Sequence, residues 1–285
     1  MAPKIWDVLS QSKRVIEAQP RHYLTLSLIF ILPPIFISFF VNLLAKHFQQ
    51  QPQQETIYPT LIFTLVSILF LLISSIFTFC AFISITYSVY QSFFNQPIKL
   101  KEAFKSISTS FFPLLATDIL IFTIFIVGSF LVGLVIGVVS FLIKYLGGVN
   151  LQAYSYLAVV LVMLVFLPLL IYLMINFSLA KVIVVVESVW GFEPLRRSWK
   201  LVKGMKRLIF SISCLFGSLQ LVLVWITGYS WVLILVISPI FAMLSLYGNA
   251  VLTVLYIYCK EKHEKLADEE FGKEKNEARL PLISS

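Results

Sequence analysis

Charge is scarce in this sequence. Only 13% of its 285 residues are Asp, Glu, Lys or Arg, against about 25% in an ordinary soluble domain. Cysteine and histidine are rarer still, with three of each. The shortage of charge excludes a soluble enzyme and a disordered tail protein. The shortage of cysteine excludes a disulfide-stapled secreted module. What the chain has instead is apolar length: 59% of it is hydrophobic, and its charges crowd into short stretches between long uncharged runs. That distribution belongs to a polytopic membrane protein.

A bilayer's hydrocarbon core is about 30 Å thick, so a spanning helix needs about 20 mainly apolar residues. Six runs qualify, at about residues 23–44, 60–83, 116–142, 154–179, 208–227 and 231–258. Lipid offers backbone groups no hydrogen-bond partner, and these runs are too long for barrel strands, so the expected form is helical. The fold class read from the sequence is all-α: six transmembrane helices with cytoplasmic amphipathic interfacial helices. The tightest connection is Gly228-Tyr229-Ser230, between the fifth and sixth runs.

Lys and Arg set the orientation. Four lie in residues 1–22, three at Lys99, Lys101 and Lys105, seven in 180–207 and six after Cys259, while only Lys46 and Lys144 lie on the other side. Twenty against two puts both termini in the cytoplasm. The first run is too long for a signal-peptide core and is expected to act as an uncleaved anchor. This gives a cytoplasmic amphipathic segment (1–22), a six-helix membrane domain (23–258) and a charged cytoplasmic tail (259–285). The tail is expected to begin as helix and then become disordered. An endomembrane (ER or Golgi) and the plasma membrane are both compatible with this plan.

Each odd-numbered span follows a short amphipathic segment. Ile5, Val8, Leu9 and Ile16 share one helical face, as do Leu100, Phe104, Ile107 and Phe111, and again Leu195, Trp199, Val202 and Met205. Pro194 suits the first position of the third helix. The chain therefore reads as three copies of one plan, at about 1–90, 97–187 and 192–258, although the topology rule alone would place basic segments there. Such helices are expected to lie in the interface, apolar face in the acyl boundary and bases at anionic headgroups. Each base there is worth about 1 kcal/mol.

The stretch Gly191-Phe192-Glu193-Pro194-Leu195-Arg196-Arg197-Ser198-Trp199-Lys200-Leu201-Val202-Lys203-Gly204 resembles the A-L-x-x-S-W-x-L-x-K-G segment that precedes a span in a group of six-helix membrane proteins. That group includes the glycerophosphoryl diester phosphodiesterase membrane-domain proteins and a set of uncharacterised plant transmembrane proteins. Ile5–Pro34, an amphipathic helix leading into a proline-containing span, is similar to the plant set. The resemblance implies a six-helix membrane fold. It does not imply phosphodiesterase chemistry, which in those proteins belongs to a separate soluble barrel that this chain lacks.

Ionisable groups inside spans are candidates for function, because burying them is costly. Asp118 is the one well inside a run, and it is expected to pair near the cytoplasmic interface with Lys105 or a base of 196–207. Asn176 and Asn249 complete the candidate intramembrane polar site. The histidines, His22, His47 and His263, share no ligand spacing with one another or with acids, and no nucleotide-binding or nucleophile-elbow motif is present. No enzyme activity, catalytic residue, metal or cofactor is therefore expected. Gly128, Gly133 and Gly137 contain a GxxxG pair, expected to pack within the bundle. Pro168 and Pro239 are expected kink sites. Cys80 and Cys214 read as apolar fillers, and Cys259 as a candidate for lipidation.

Two classes of function remain. One is a non-enzymatic membrane-organising protein whose cytoplasmic face binds lipid headgroups or cytoplasmic proteins through Arg196, Arg197, Trp199, Lys200 and Lys203. The other is a transporter or channel for a small or lipidic solute, which requires a cavity bounded by Asp118, Asn176, Asn249 or the hydroxyls of span two. The bilayer is the expected partner in both, nucleic acid in neither, and the oligomeric state stays open. The orientation has a direct check. A tag fused after Ser285 should resist protease added outside sealed cells or inside the organelle lumen, and digestion there would invert the scheme.

Overall fold

The computed structural model describes residues 4–50, 57–96, 100–147, 164, 166–227 and 231–277. Among them every regular element is helical: α1 (Ile5–Ala18), α2 (Pro20–Leu26), a π-helical turn (Ser27–Ile31), α3 (Leu32–Gln50), α4 (Ile57–Phe93) and α5 (Leu100–Gly147) in the first part of the chain. Then follow α6 (residues 166–177), α7 (Ala180–Glu187), α8 (Phe192–Val202), α9 (Lys206–Thr227) and α10 (Trp231–Glu277). Six stretches are long and apolar enough to cross a membrane: Pro20–Ser38, Leu61–Phe93, Leu100–Val139, Phe166–Glu187, Lys206–Ile226 and Val236–Lys265. The Gly228–Ser230 connection, residues 51–55 of the Gln-rich loop, residues 154–163 of the fourth expected span and the tail beyond Glu277 lie outside the described residues.

Local chemistry explains where helices break. Pro33 and Pro34 cannot donate to the carbonyls four residues back. The preceding turn widens, and the Leu32 N–H reaches back five residues to the Ser27 carbonyl. The chain bends at Gln19 just before Pro20, and again at Gly204, whose φ of 98° suits glycine alone. The segment at 100–111 has neither device and runs into the third span as one helix, with Pro113 inside it. The three basic segments thus differ at their junctions: the first and third are hinged, the second is not. Helix α8 starts at Phe192, two residues before the expected Pro194, which sits in the first turn where its missing N–H costs nothing.

The helices outrun any bilayer. At 1.5 Å per residue, the 37 residues of α4 extend about 55 Å and the 47 of α10 about 70 Å. Helix α10 is the axis, packing against α1, α3, α4, α7, α8 and α9. The buried core gathers at one end of the bundle, where α1, α8 and the basic residues of α10 meet. There Val8, Ile85, Val89, Leu179, Ile183, Val202, Ile209, Val251, Val254 and Leu255 form one cluster. Toward the far end packing thins out. Phe122, Ile126, Phe130, Leu134 and Val138 form one exposed stripe of α5, and Val127, Leu131, Val135 and Val139 form another.

Interhelical hydrogen bonds reinforce the basic end. The Tyr247 hydroxyl donates to the Leu9 carbonyl at 2.7 Å, clasping α1 to α10. His22 Nε2 and Ser88 Oγ stand 3.0 Å apart, and the Tyr23 hydroxyl donates to Ser92 Oγ at 3.1 Å, tying α2 to α4. The apolar face of α1 is therefore turned onto protein, with Val8 and Val15 in the core, rather than into the acyl boundary.

Candidate functional site

Helix α8 is docked, not floating. Leu195, Ser198 and Val202, spaced along one face, are buried. Ser198 Oγ donates to the Asn176 carbonyl at 2.6 Å, which pins α8 to the end of α6. Trp199 packs edge-on to Tyr172, with ring centroids 5.5 Å apart, and leans on Phe177. The Lys206 ammonium sits 4.8 Å above the Tyr172 ring, a cation–π contact that closes the stack. At the other end of α8, Lys262 Nζ donates to the Gly204 carbonyl at 3.3 Å. The Ser-Trp and Gly of the recognised segment thus hold the helix on the bundle. This differs from the expected placement of its apolar stripe in the acyl boundary.

The residue that organises this end is one the sequence reading did not single out, Glu187. Its Oε1 accepts from the Tyr256 hydroxyl at 2.6 Å and lies 3.3 Å from Lys260 Nζ. Its Oε2 lies 2.6 Å from Arg197 Nη1. Arg197 also forks onto Glu193, Nε to Oε1 at 2.9 Å. One carboxylate, only 16% exposed, therefore joins the C-terminal end of α7 to α8 and α10. The hydrogen bond to Glu187, and then the one to Glu193, raises the pKa of the Arg197 guanidinium above that of a free arginine. Beside this cluster lies a hollow of about 290 Å³, bordered by Lys200, His263 and Glu264. A signal for Glu187 did exist: it is the lone acid between Asp118 and Glu193, placed directly after the apolar Val182–Val186 run.

With Arg197 engaged by Glu187 and Glu193, Arg196 and Lys200 remain exposed and unclaimed on α8, with Lys203 just past its end and Arg207 on α9. Trp190 and Phe192 are exposed next to them, and Trp6 is exposed on α1 with Lys13 and Arg14. Bases and exposed aromatic side chains thus form a rim around α8, and a second such group lies on α1.

Asp118 does form an ion pair, but with a different base from those expected. Its Oδ1 lies 2.6 Å from Lys181 Nζ on α7. Lys105 is more than three helical turns away along α5, and the bases of 196–207 are held on α8 and α9, whereas α7 packs directly against α5. The pair borders a groove of about 650 Å³ between α3, α4, α5 and α7. Span-two groups Ser67, Ser74, Ser75 and Thr78 lie along it, and Ser67 Oγ is buried without a hydrogen-bond partner. Neither Asn176 nor Asn249 lines the groove, so the three expected polar residues do not form one site. Asn176 is fully buried, its Nδ2 donating to the Tyr172 carbonyl at 2.7 Å and its Oδ1 unpartnered. The Asn249 carbonyl accepts from Thr253 Oγ1.

Two further expectations are overturned. Cys259 is buried, 3.5 Å from the Met205 sulfur, so its thiol is not presented for lipidation. A Cβ added at Gly128, Gly133 or Gly137 would meet nothing within 4 Å, so these glycines do not pack within the described bundle as expected. Among the described residues no three His, Cys, Asp or Glu side chains are grouped to hold a metal ion.

Replacing Glu187 with Gln removes the charge that neutralises Arg197 and Lys260, and should cost about 2 kcal/mol in thermal unfolding of the purified chain. Breaking a buried ion pair costs more, but these bases are half-solvated. Replacing Glu193, whose i,i+4 pair is exposed, should cost about 0.4 kcal/mol. Equal small losses would remove Glu187 from its central position.

Comparison with known proteins adds one relationship. No curated protein and no solved structure matches this sequence. The family model described as "Domain of unknown function (DUF8558)" matches residues 4–277. That match takes in every helix of the described residues, and the chain belongs to the DUF8558 family.

Proposed function

We propose that this is a non-enzymatic membrane protein whose basic end faces the cytoplasm and gathers anionic lipid headgroups along the rim of α8 and α1. The observation that carries this reading is the division of the bases on α8 and at the start of α9. Arg197 is held by Glu187 and Glu193, while Arg196, Lys200, Lys203 and Arg207 stay exposed beside Trp190 and Phe192. Aromatic side chains settle at the headgroup level and bases attract anionic lipid. Because α8 is docked on protein, the rim is pre-formed and loses little freedom on binding.

The groove beside Asp118 favours a second reading, handling of a lipidic solute. Against a conducting path, Leu114 in the groove wall belongs to a buried cluster with Ile83, Val184 and Val185, so the groove ends on packed side chains.

The test is lipid selectivity of the reconstituted full chain, read from the immobilised fraction of spin-labelled lipids. Each base near an anionic surface contributes about 1 kcal/mol, or about fivefold. Replacing Arg196, Lys200, Lys203 and Arg207 with Gln should remove most of the preference for phosphatidylserine over phosphatidylcholine, the remainder resting on Lys13 and Arg14, whereas Arg197→Gln should lower the melting temperature and leave the preference intact. An unchanged preference in the fourfold variant would refute the proposal.

A further inference from the structure

We infer that the groove between α3, α4, α5 and α7 is a binding site for one phospholipid whose headgroup carries both a phosphate and a primary ammonium. This goes beyond the headgroup rim and uses none of its residues. The groove's volume of about 650 Å³ falls within the range of about 300–1,000 Å³ typical of ligand sites. Along α4 its lining extends from Ser67 to Phe82, sixteen residues spanning about 22 Å. That exceeds the depth of one leaflet's hydrocarbon, about 15 Å, so the groove suits a single lipid lying along the helix rather than a compact solute.

The two ends of the groove differ in chemistry. Asp118 and Lys181 lie at the end toward the packed core, their side chains 29% and 40% exposed. Ile37, Val41, Phe70 and Leu71 wall the rest. An ammonium has three donors and a carboxylate about four acceptor sites, so the single contact between Lys181 and Asp118 leaves most of their capacity unused. The pair stands at the charged end of an otherwise apolar groove. A zwitterionic headgroup completes both partners at once, its phosphate accepting from Lys181 and its ammonium donating to Asp118. A purely anionic headgroup sets its charge against Asp118. A quaternary ammonium has no N–H to donate to the carboxylate. Ser74, Ser75 and Thr78 stand between the charged end and the apolar wall, where the ester groups of such a lipid fall. The hydroxyls of Ser75 and Thr78 already donate to their own helix, at the Leu72 and Ser74 carbonyls, so they offer a ligand small surfaces and room rather than donors for its ester oxygens.

The experiment is native mass spectrometry of the detergent-purified full chain, equilibrated with equimolar phosphatidylethanolamine, phosphatidylcholine and phosphatidylglycerol. The expected result is one retained phosphatidylethanolamine, favoured at least tenfold over the other two. Ser75→Phe, which fills the groove without removing any interhelical bond, should eliminate that retention with no change in melting temperature. Asp118→Asn should bring phosphatidylethanolamine down to the level of phosphatidylcholine. The fourfold Gln variant of the rim should retain the lipid as the wild type does, so the two proposals fail independently. Equal retention of the three lipids, no retained lipid, or undiminished retention in Ser75→Phe would each overturn the assignment, and the last does so even if Asp118→Asn does not fold.

Discussion

Lipid gives apolar side chains no reason to leave it. In water a Leu or Phe gains by burial in protein, but against acyl chains that drive disappears, and helices associate through packing detail and polar contacts. The distribution of burial follows from this constraint. At the basic end, α1, α7, α8 and α10 bury a continuous core around Val254, Leu255 and Ile183. Away from it, α5 exposes large apolar residues on more than one face, with Phe130 at 69%. Both ends are apolar, and the solvent decides which of them condenses.

Polar groups follow the same division. Tyr247 with Leu9, Tyr23 with Ser92, Ser198 with Asn176, and Glu187 with Tyr256, Arg197 and Lys260 join helices at or near the condensed end. Glu187 is the most connected of these groups, because it ties three helices with one carboxylate. Its capture of Arg197 also sorts the bases of this end into those that hold the structure together and those left free on the protein's surface. The docking of α8 makes that surface fixed in place, with Trp199 as a packing element rather than a free anchor.

Much of the architecture was legible from spacing alone. Apolar run lengths matched the six helices, and the i, i+3, i+4 stripes of α1 and α8 marked faces that are turned onto protein rather than into the acyl boundary as expected. The object those stripes meet was not legible, because a stripe reads the same whether it faces acyl chains or Val254. The unbroken start of α5 was in principle visible, since neither a glycine nor an early proline separates Leu100 from Phe112. Asp118 was found as the notable intramembrane acid, but its partner depends on how α7 lies against α5, which no local pattern encodes. Glu187 was passed over because it stands at the boundary of a span, where an acid is cheap and common. Its importance arises only when α8 and α10 arrive from elsewhere in the chain.

The central claim is that this molecule is condensed at its basic end and solvated by lipid along its far half. Photolabelling tests it without altering a residue. The reconstituted protein is irradiated with a phospholipid carrying a carbene precursor in its acyl chain, and the adducts are mapped by peptide mass spectrometry. The account predicts dense labelling of α5 over 122–139 and of α9 over 215–225, with little on α7 or on α10 over 250–257. Protection of the 122–139 segment, or heavy labelling of 250–257, would contradict it.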